Sequence, residues 1–388
     1  MDIINMDSEY IAHTYGRFPV QLDHGSGSLV WDVNGKEYID LGGGIAVNIF
    51  GFSDKSWCDA VCGQLSKLQH TSNLYYSEPC ALLAKQLCEK TGMKKVFFSN
   101  SGAEANECAI KAARRRAFLE YGDESHSTVI TLKNSFHGRT ITTLSATGQD
   151  VFHMEFGPFT PGFVYAEAGD IEDVRRLASE HGCAAVMIET IQGEGGVNVL
   201  DSDFVRGIYE LCRNEDMLLI VDEVQTGNGR TGELYSYMYY GIEPDVVTTA
   251  KGLAGGLPMA ATVLGERAAE VYTPGSHGST FGGNPVCAAG ALNVLSRIDG
   301  KLLESVKRKS AYIISELDGA KGVKCITGRG LMLGIECEKS AKSVVDAAME
   351  RGVLALTAKS KVRLLPALNI PDELLCKAVK TLREVIGE

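Results

Sequence analysis

Short, uninterrupted apolar runs recur through the first three quarters of the chain, separated by longer amphipathic stretches. The runs fall at 96–99, 128–132, 185–189, 218–222, 246–250 and 261–264 and are rich in β-branched residues. Runs of this length predict strands covered on both faces. Segments 104–120, 171–181 and 202–214 place apolar residues at helical spacing. Strands alternating with helices predict an α/β fold around a mainly parallel central sheet. Ligands of such sheets bind in the loops beyond the carboxyl ends of the strands. Those loops are where chemistry is to be sought.

From about residue 290 the pattern changes. Segments 288–299 and 302–319 predict helices, 323–327, 331–336 and 362–365 strands, and 372–387 a final helix. Near the N-terminus, 29–32 and 37–40 predict a hairpin turning at Asn34-Gly35. The expected organisation is a large domain over 50–290 and a smaller α+β domain made of 1–49 plus 291–388.

Composition narrows the function classes. With 388 residues, 45% hydrophobic and 22% charged, the chain can bury a core without a disulfide or a metal. Its 43 glycines cluster, as at 42–44 and 193–196, which predicts tight turns or close backbone approach to a ligand. A net charge of −11 argues against nucleic acid as a partner. The basic run Arg114-Arg115-Arg116 would spread around a helix as a solvated surface. Eleven cysteines are scattered without a CxxC pair or zinc spacing, so free thiols, no metal site and a reducing cytoplasm are expected. No signal-peptide pattern and no apolar run of membrane-spanning length is present, and we expect no membrane association.

Two strand ends carry the strongest chemical signal. Asp222 closes the run LLIVD, and Lys251 follows VVTTA and precedes GLAGG. A carboxylate and an amine at neighbouring strand tips suit pyridoxal 5'-phosphate (PLP), whose aldehyde condenses with a lysine and whose pyridine nitrogen needs an anion beside it. A plain salt bridge is the competing reading of the pair. Ser99-Asn100-Ser101-Gly102-Ala103-Glu104 follows a strand and opens a helix, so its N–H groups form an anion site, although an ordinary N-cap uses the same residues. Ser279-Thr280-Phe281-Gly282-Gly283 is a second loop of this kind. Phe136 can stack on a heterocycle, and Arg139 can grip a carboxylate. Both also suit structural roles, and His137 is read as a packing or hydrogen-bonding residue. Glu194 lies among glycines in QGEGG, a loop that lets a carboxylate reach into a site. Dinucleotide binding fails, because no GxGxxG joins an early strand to its helix, and no Walker loop is present.

Taken in order, SNSGAEANE, FHGRT, IQGEGG, VDEVQTGNGRTG, TTAKGLAGGLP and STFGGNP resemble the class III (ω-) aminotransferases of PLP fold type I, over nearly the whole chain. HTYGRFPV, GGGIAVN and SNLYYSEP resemble the branch acting on N2-acetyl-L-ornithine, with branches acting on ornithine, succinylornithine or 4-aminobutyrate as alternatives. A PLP-binding regulatory protein without activity would be expected to lack the lysine or the aspartate. The resemblance implies that Lys251 carries PLP and shuttles a proton, and that Asp222 pairs with the ring nitrogen. It further implies that Phe136 stacks on the ring and that Ser101, Gly102 and Ala103 hold the phosphate. Glu223, Val224 and Gln225 complete the cofactor-binding set, Gln225 through the ring hydroxyl. Thr280 would join from the partner subunit of a homodimer with shared sites. Arg139, Tyr15, Ser279, Glu194 and Arg363 would bind the substrates N2-acetyl-L-ornithine, 2-oxoglutarate and L-glutamate. Glu194 and Arg363 would pair with the donor in place and part when 2-oxoglutarate brings its second carboxylate. Where many relatives carry GHxHP this chain has Gly51-Phe52-Ser53-Asp54, so packing or channel shape is expected to differ there.

Overall fold

The computed structural model describes residues 2–388. Seven strands form the central sheet, in the spatial order Lys95–Ser99, Ala260–Leu264, Val246–Thr249, Leu218–Asp222, Cys183–Ile188, Thr128–Leu132 and Phe163–Ala166. All neighbours are parallel except those of Ala260–Leu264, which runs antiparallel to both. Successive residues of a strand face opposite sides, and here each side has its own core. Leu218 and Ile220 pack with Ala109 and Ala113 of the helix Gly102–Tyr121, whereas Leu219 and Val221 pack with Phe204 and Ile208 of Ser202–Asn214. Burial on both faces is why these strands read as continuous apolar runs.

The sequence reading passed over Phe163–Ala166, the edge strand, whose residues are mostly half-buried. It also passed over the helices Lys55–Leu65, Glu78–Thr91 and Ala341–Glu350. The helix Lys55–Leu65 explains the unusual stretch before it. Asp54 caps it by accepting the Trp57 N–H at 3.0 Å, and both its oxygens pair with Arg297 at 2.6 and 2.9 Å.

A second, antiparallel sheet holds Val323–Arg329, Met332–Cys337, Lys361–Leu364 and Leu356–Ala358. The N-terminal strands Leu22–Ser26, Leu29–Asp32 and Glu37–Asp40 form a third sheet, and Val353–Leu354 adds to it parallel to Glu37–Asp40. The two ends of the chain therefore share one sheet. Its hairpin turns as expected at Asn34-Gly35, with Gly35 at φ +80° and the Asp32 carboxylate accepting the Asn34 and Lys36 N–H groups.

Candidate active site

Beyond the carboxyl ends of the parallel strands lies a cavity of about 600 Å³. Asp222 is the last residue of Leu218–Asp222 and pairs in register with Thr248, three residues before Lys251 on the adjacent strand. Lys251 opens a 3₁₀ turn with φ at +45°, a conformation costly for a residue with a side chain. Both residues line the cavity.

Asp222 is held by three donors. One oxygen accepts from Asn106 Nδ2 and His137 Nδ1, each at 2.8 Å, and the other accepts the Val224 N–H at 3.0 Å. Thr248 donates in turn to Asn106 Oδ1 at 2.7 Å. The carboxylate is thus aimed before any ligand arrives. Burial pushes the Lys251 amine down to about 8, against the raising pull of Glu194, Asp222 and Glu189 and with help from Arg363. A lysine so placed is a usable nucleophile and base near neutral pH.

At one end, Ser101 caps the helix Gly102–Tyr121, its hydroxyl accepting the Glu104 N–H. The N–H groups of Gly102 and Ala103 fall in the first turn, where no intrahelical acceptor exists, and both residues line the cavity. Only glycine fits at 102, since a Cβ there would lie 2.7 Å from Val224 Cγ1. A free-amide helix start, an aimed carboxylate, a low-pKa lysine and the lining ring of Phe136 fit PLP as a group.

Glu194, another lining residue, carries an ion pair. Arg363 Nη1 reaches Glu194 Oε1 at 2.6 Å, and Gln225 bridges the two at 3.2 Å to each. Burial opposes ionisation of Glu194, but the charge and hydrogen bond of Arg363 win and hold its carboxyl below the ordinary range. Arg139 makes no ion pair among the described residues and lies over the rings of Phe152 and Phe136, at 4.2 and 5.5 Å. Tyr15 lines the mouth, 75% exposed.

Some expected residues stand elsewhere. The Glu223 side chain turns away from the cavity and accepts from Thr226, Ser236 and the Tyr237 N–H. Gln225 spends its amide on Glu194 and Arg363. Ser279 and Thr280 do not line the cavity of their own chain. Ser279 accepts from Asn100 Nδ2 at its rim, and Thr280 is exposed. The sequence reading missed Asn106 as an anchor and gave His137 only a bonding role. A polar side chain among the buried alanines of Gly102–Tyr121 was the available signal for Asn106.

A low-pKa lysine, an anchored carboxylate and a helix start with free amides lining one cavity define the class: a PLP-dependent enzyme of the doubly covered α/β type. The family model for class-III aminotransferases matches residues 10–386, and this chain belongs to that family. It is 48% identical to the acetylornithine aminotransferase of Haemophilus ducreyi, across 100% of this chain and 98% of the relative. The Aquifex aeolicus acetylornithine aminotransferase is 44% identical, across 97% of this chain and all of its own. Among solved structures, Toxoplasma gondii ornithine aminotransferase superposes with a TM-score of 0.95 at 33% identity, covering 99% of this chain and 94% of that one. Stenotrophomonas maltophilia N-acetylornithine aminotransferase gives 0.85 at 35% identity, covering 99% and 98%. Another structure of the Toxoplasma enzyme is described with PLP at its active site.

Proposed function

We propose that this chain transfers the side-chain amino group of N2-acetyl-L-ornithine to 2-oxoglutarate, giving N-acetyl-L-glutamate 5-semialdehyde and L-glutamate, a step of arginine biosynthesis. The observation that carries the reading is Glu194, which lines the cavity with Lys251 and Asp222 and is held at 2.6 Å by Arg363, a buried residue just behind that lining. When bound, PLP supplies the electron sink that lets a C–H bond beside the transferred nitrogen ionise. Asp222, steadied by Asn106 and His137, would keep a proton on the ring nitrogen. Lys251 Nζ, held down to about 8, gives up its own proton more readily than an ordinary lysine, and would then take and return the substrate proton. Ser101, Gly102 and Ala103 would hold the phosphate, and Phe136 would lie against the ring.

Arg139, free of any acid, takes the carboxylate common to both substrates. With Glu194 on Arg363 the far end of the cavity is neutral and suits an uncharged acyl group. When 2-oxoglutarate enters, its second carboxylate replaces Glu194 on Arg363. Gln225 moves with that exchange, since it bonds both partners. The full-length identity to acetylornithine aminotransferases supports the choice of donor. Thr280 serves the partner subunit's site in a homodimer, as its exposure beside the likewise exposed Phe281, Leu74, Tyr75 and Tyr76 suggests. The eleven free cysteines fit a cytoplasmic location.

Steady-state turnover with acetylornithine, succinylornithine, ornithine and 4-aminobutyrate, each against 2-oxoglutarate, tests the assignment. Acetylornithine is expected to give the highest kcat/KM. A preference for 4-aminobutyrate, which has no α-carboxylate for Arg139, overturns it.

A further inference from the structure

Glu189 has no part in the chemistry above, yet it faces the same cavity. It follows the strand Cys183–Ile188 directly and is 6% exposed. Unlike Glu194, it forms no ion pair among the described residues. Its partners are backbone amides from two different loops. One carboxyl oxygen accepts the Phe136 N–H at 2.8 Å, and the other accepts the Gly193 N–H at a longer 3.4 Å. Phe136 is the aromatic wall, and Gly193 immediately precedes Glu194. No side chain fits at 193 as the loops stand, because a Cβ there would lie 2.3 Å from Gln225 Oε1.

We propose that Glu189 is a positioning residue: by tying the backbone of Phe136 to that of Gly193, it sets the gap between the aromatic wall and the Glu194–Arg363 pair. The inference rests on the functional reading, since the gap matters only if a cofactor ring lies against Phe136 while the substrate tail reaches Arg363. Burial, reinforced by the negative charge of Asp222, holds the Glu189 carboxyl well above the usual range.

Two variants separate the staple from general packing. The two N–H groups use different Glu189 oxygens, and in Glu189→Gln one of those oxygens becomes an NH₂, which is a donor only. The shorter Phe136 bond is the one kept, and the amide NH₂ then opposes the Gly193 N–H. Glu189→Ala releases both loops. For the Gln variant, we expect the apoprotein to bind PLP within about twofold of wild type and to melt within a few degrees of it. Its donor half-reaction, which needs Glu194 seated on Arg363, should slow about tenfold relative to its acceptor half-reaction in single-turnover absorbance traces. For the Ala variant, PLP binding to the apoprotein should itself weaken about tenfold. Equal changes in both half-reactions of the Gln variant, no change in either, or wild-type PLP affinity in the Ala variant overturns the proposal. Wild-type protein that fails to bind PLP or to transaminate sinks the functional reading instead, so the two failures are distinguishable.

Discussion

Lys251 unites two features that rarely coincide in one residue, a left-handed backbone and a buried amine with a pKa near 8. Because the cation is the disfavoured form, covalent capture of PLP by the apoprotein should speed up as pH rises and level off above about 8. Stopped-flow absorbance across a pH series measures this directly. A profile still climbing at the ordinary lysine value would show that burial does not tune the amine. Lys251→Ala should leave PLP removable by dialysis and abolish turnover. At this scale the sequence was most informative where chemistry requires one residue type. Lys251, Asp222 and Glu194 were named from strand ends and a glycine loop, whereas Arg363 came only from the family resemblance. Asn106 and Glu189 were not picked out, because a hydrogen bond to a neighbour 116 positions away, or to two backbone amides, leaves no trace in local pattern.

Elements bring these residues together, and their starts are the sensitive points. Gly102→Ala forces a Cβ against Val224 at the first turn of the phosphate-end helix. We expect a cost of about 1–3 kcal/mol and weaker PLP retention, read by urea melts and by titration of the apoprotein. Asp54 tests a different helix start. Losing its cap should cost about 1–2 kcal/mol with turnover unchanged. The Arg297 hydrogen bond holds the Asp54 carboxyl below its ordinary value, with the Trp57 N–H assisting against partial burial. Its contribution is therefore present above the unfolded value and lost as pH falls through the folded one. The gap between wild type and Asp54→Ala should narrow in acid. Strands buried on both faces were legible because burial makes them uniformly apolar. The half-buried edge Phe163–Ala166 and the helices Lys55–Leu65 and Glu78–Thr91, with few buried positions, were not.

Across the whole molecule, one buried cation links distant parts of the chain. Arg230 is fully buried and donates to the Leu331 and Pro366 carbonyls, behind the strand that carries Arg363. Burial pushes its pKa down to about 9 against the raising pull of Asp40. Arg230→Ala should cost about 3 kcal/mol or more, measured by denaturant unfolding, because it empties a large fully buried site and strips the Leu331 and Pro366 carbonyls of their donor. The proposed homodimer with shared sites makes a sharper prediction. Lys251→Ala and Thr280→Arg chains should each be inactive alone. Refolded together in equal amounts, they should regain about a quarter of wild-type activity, because half the dimers are hybrids with one intact site. No recovery would place Thr280 in the site of its own chain.

The sheet shared by residues 37–40 and 353–354 also has a consequence for biosynthesis. A ribosome releases the first partner some three hundred residues before the second. At ordinary translation speed that leaves the early strand waiting roughly 15–60 s with its edge uncovered. The nascent chain is then open to mispairing, and a holding chaperone is most useful in that interval. A circular permutant that makes 353–354 and 37–40 near neighbours along the chain should fold faster and aggregate less during synthesis.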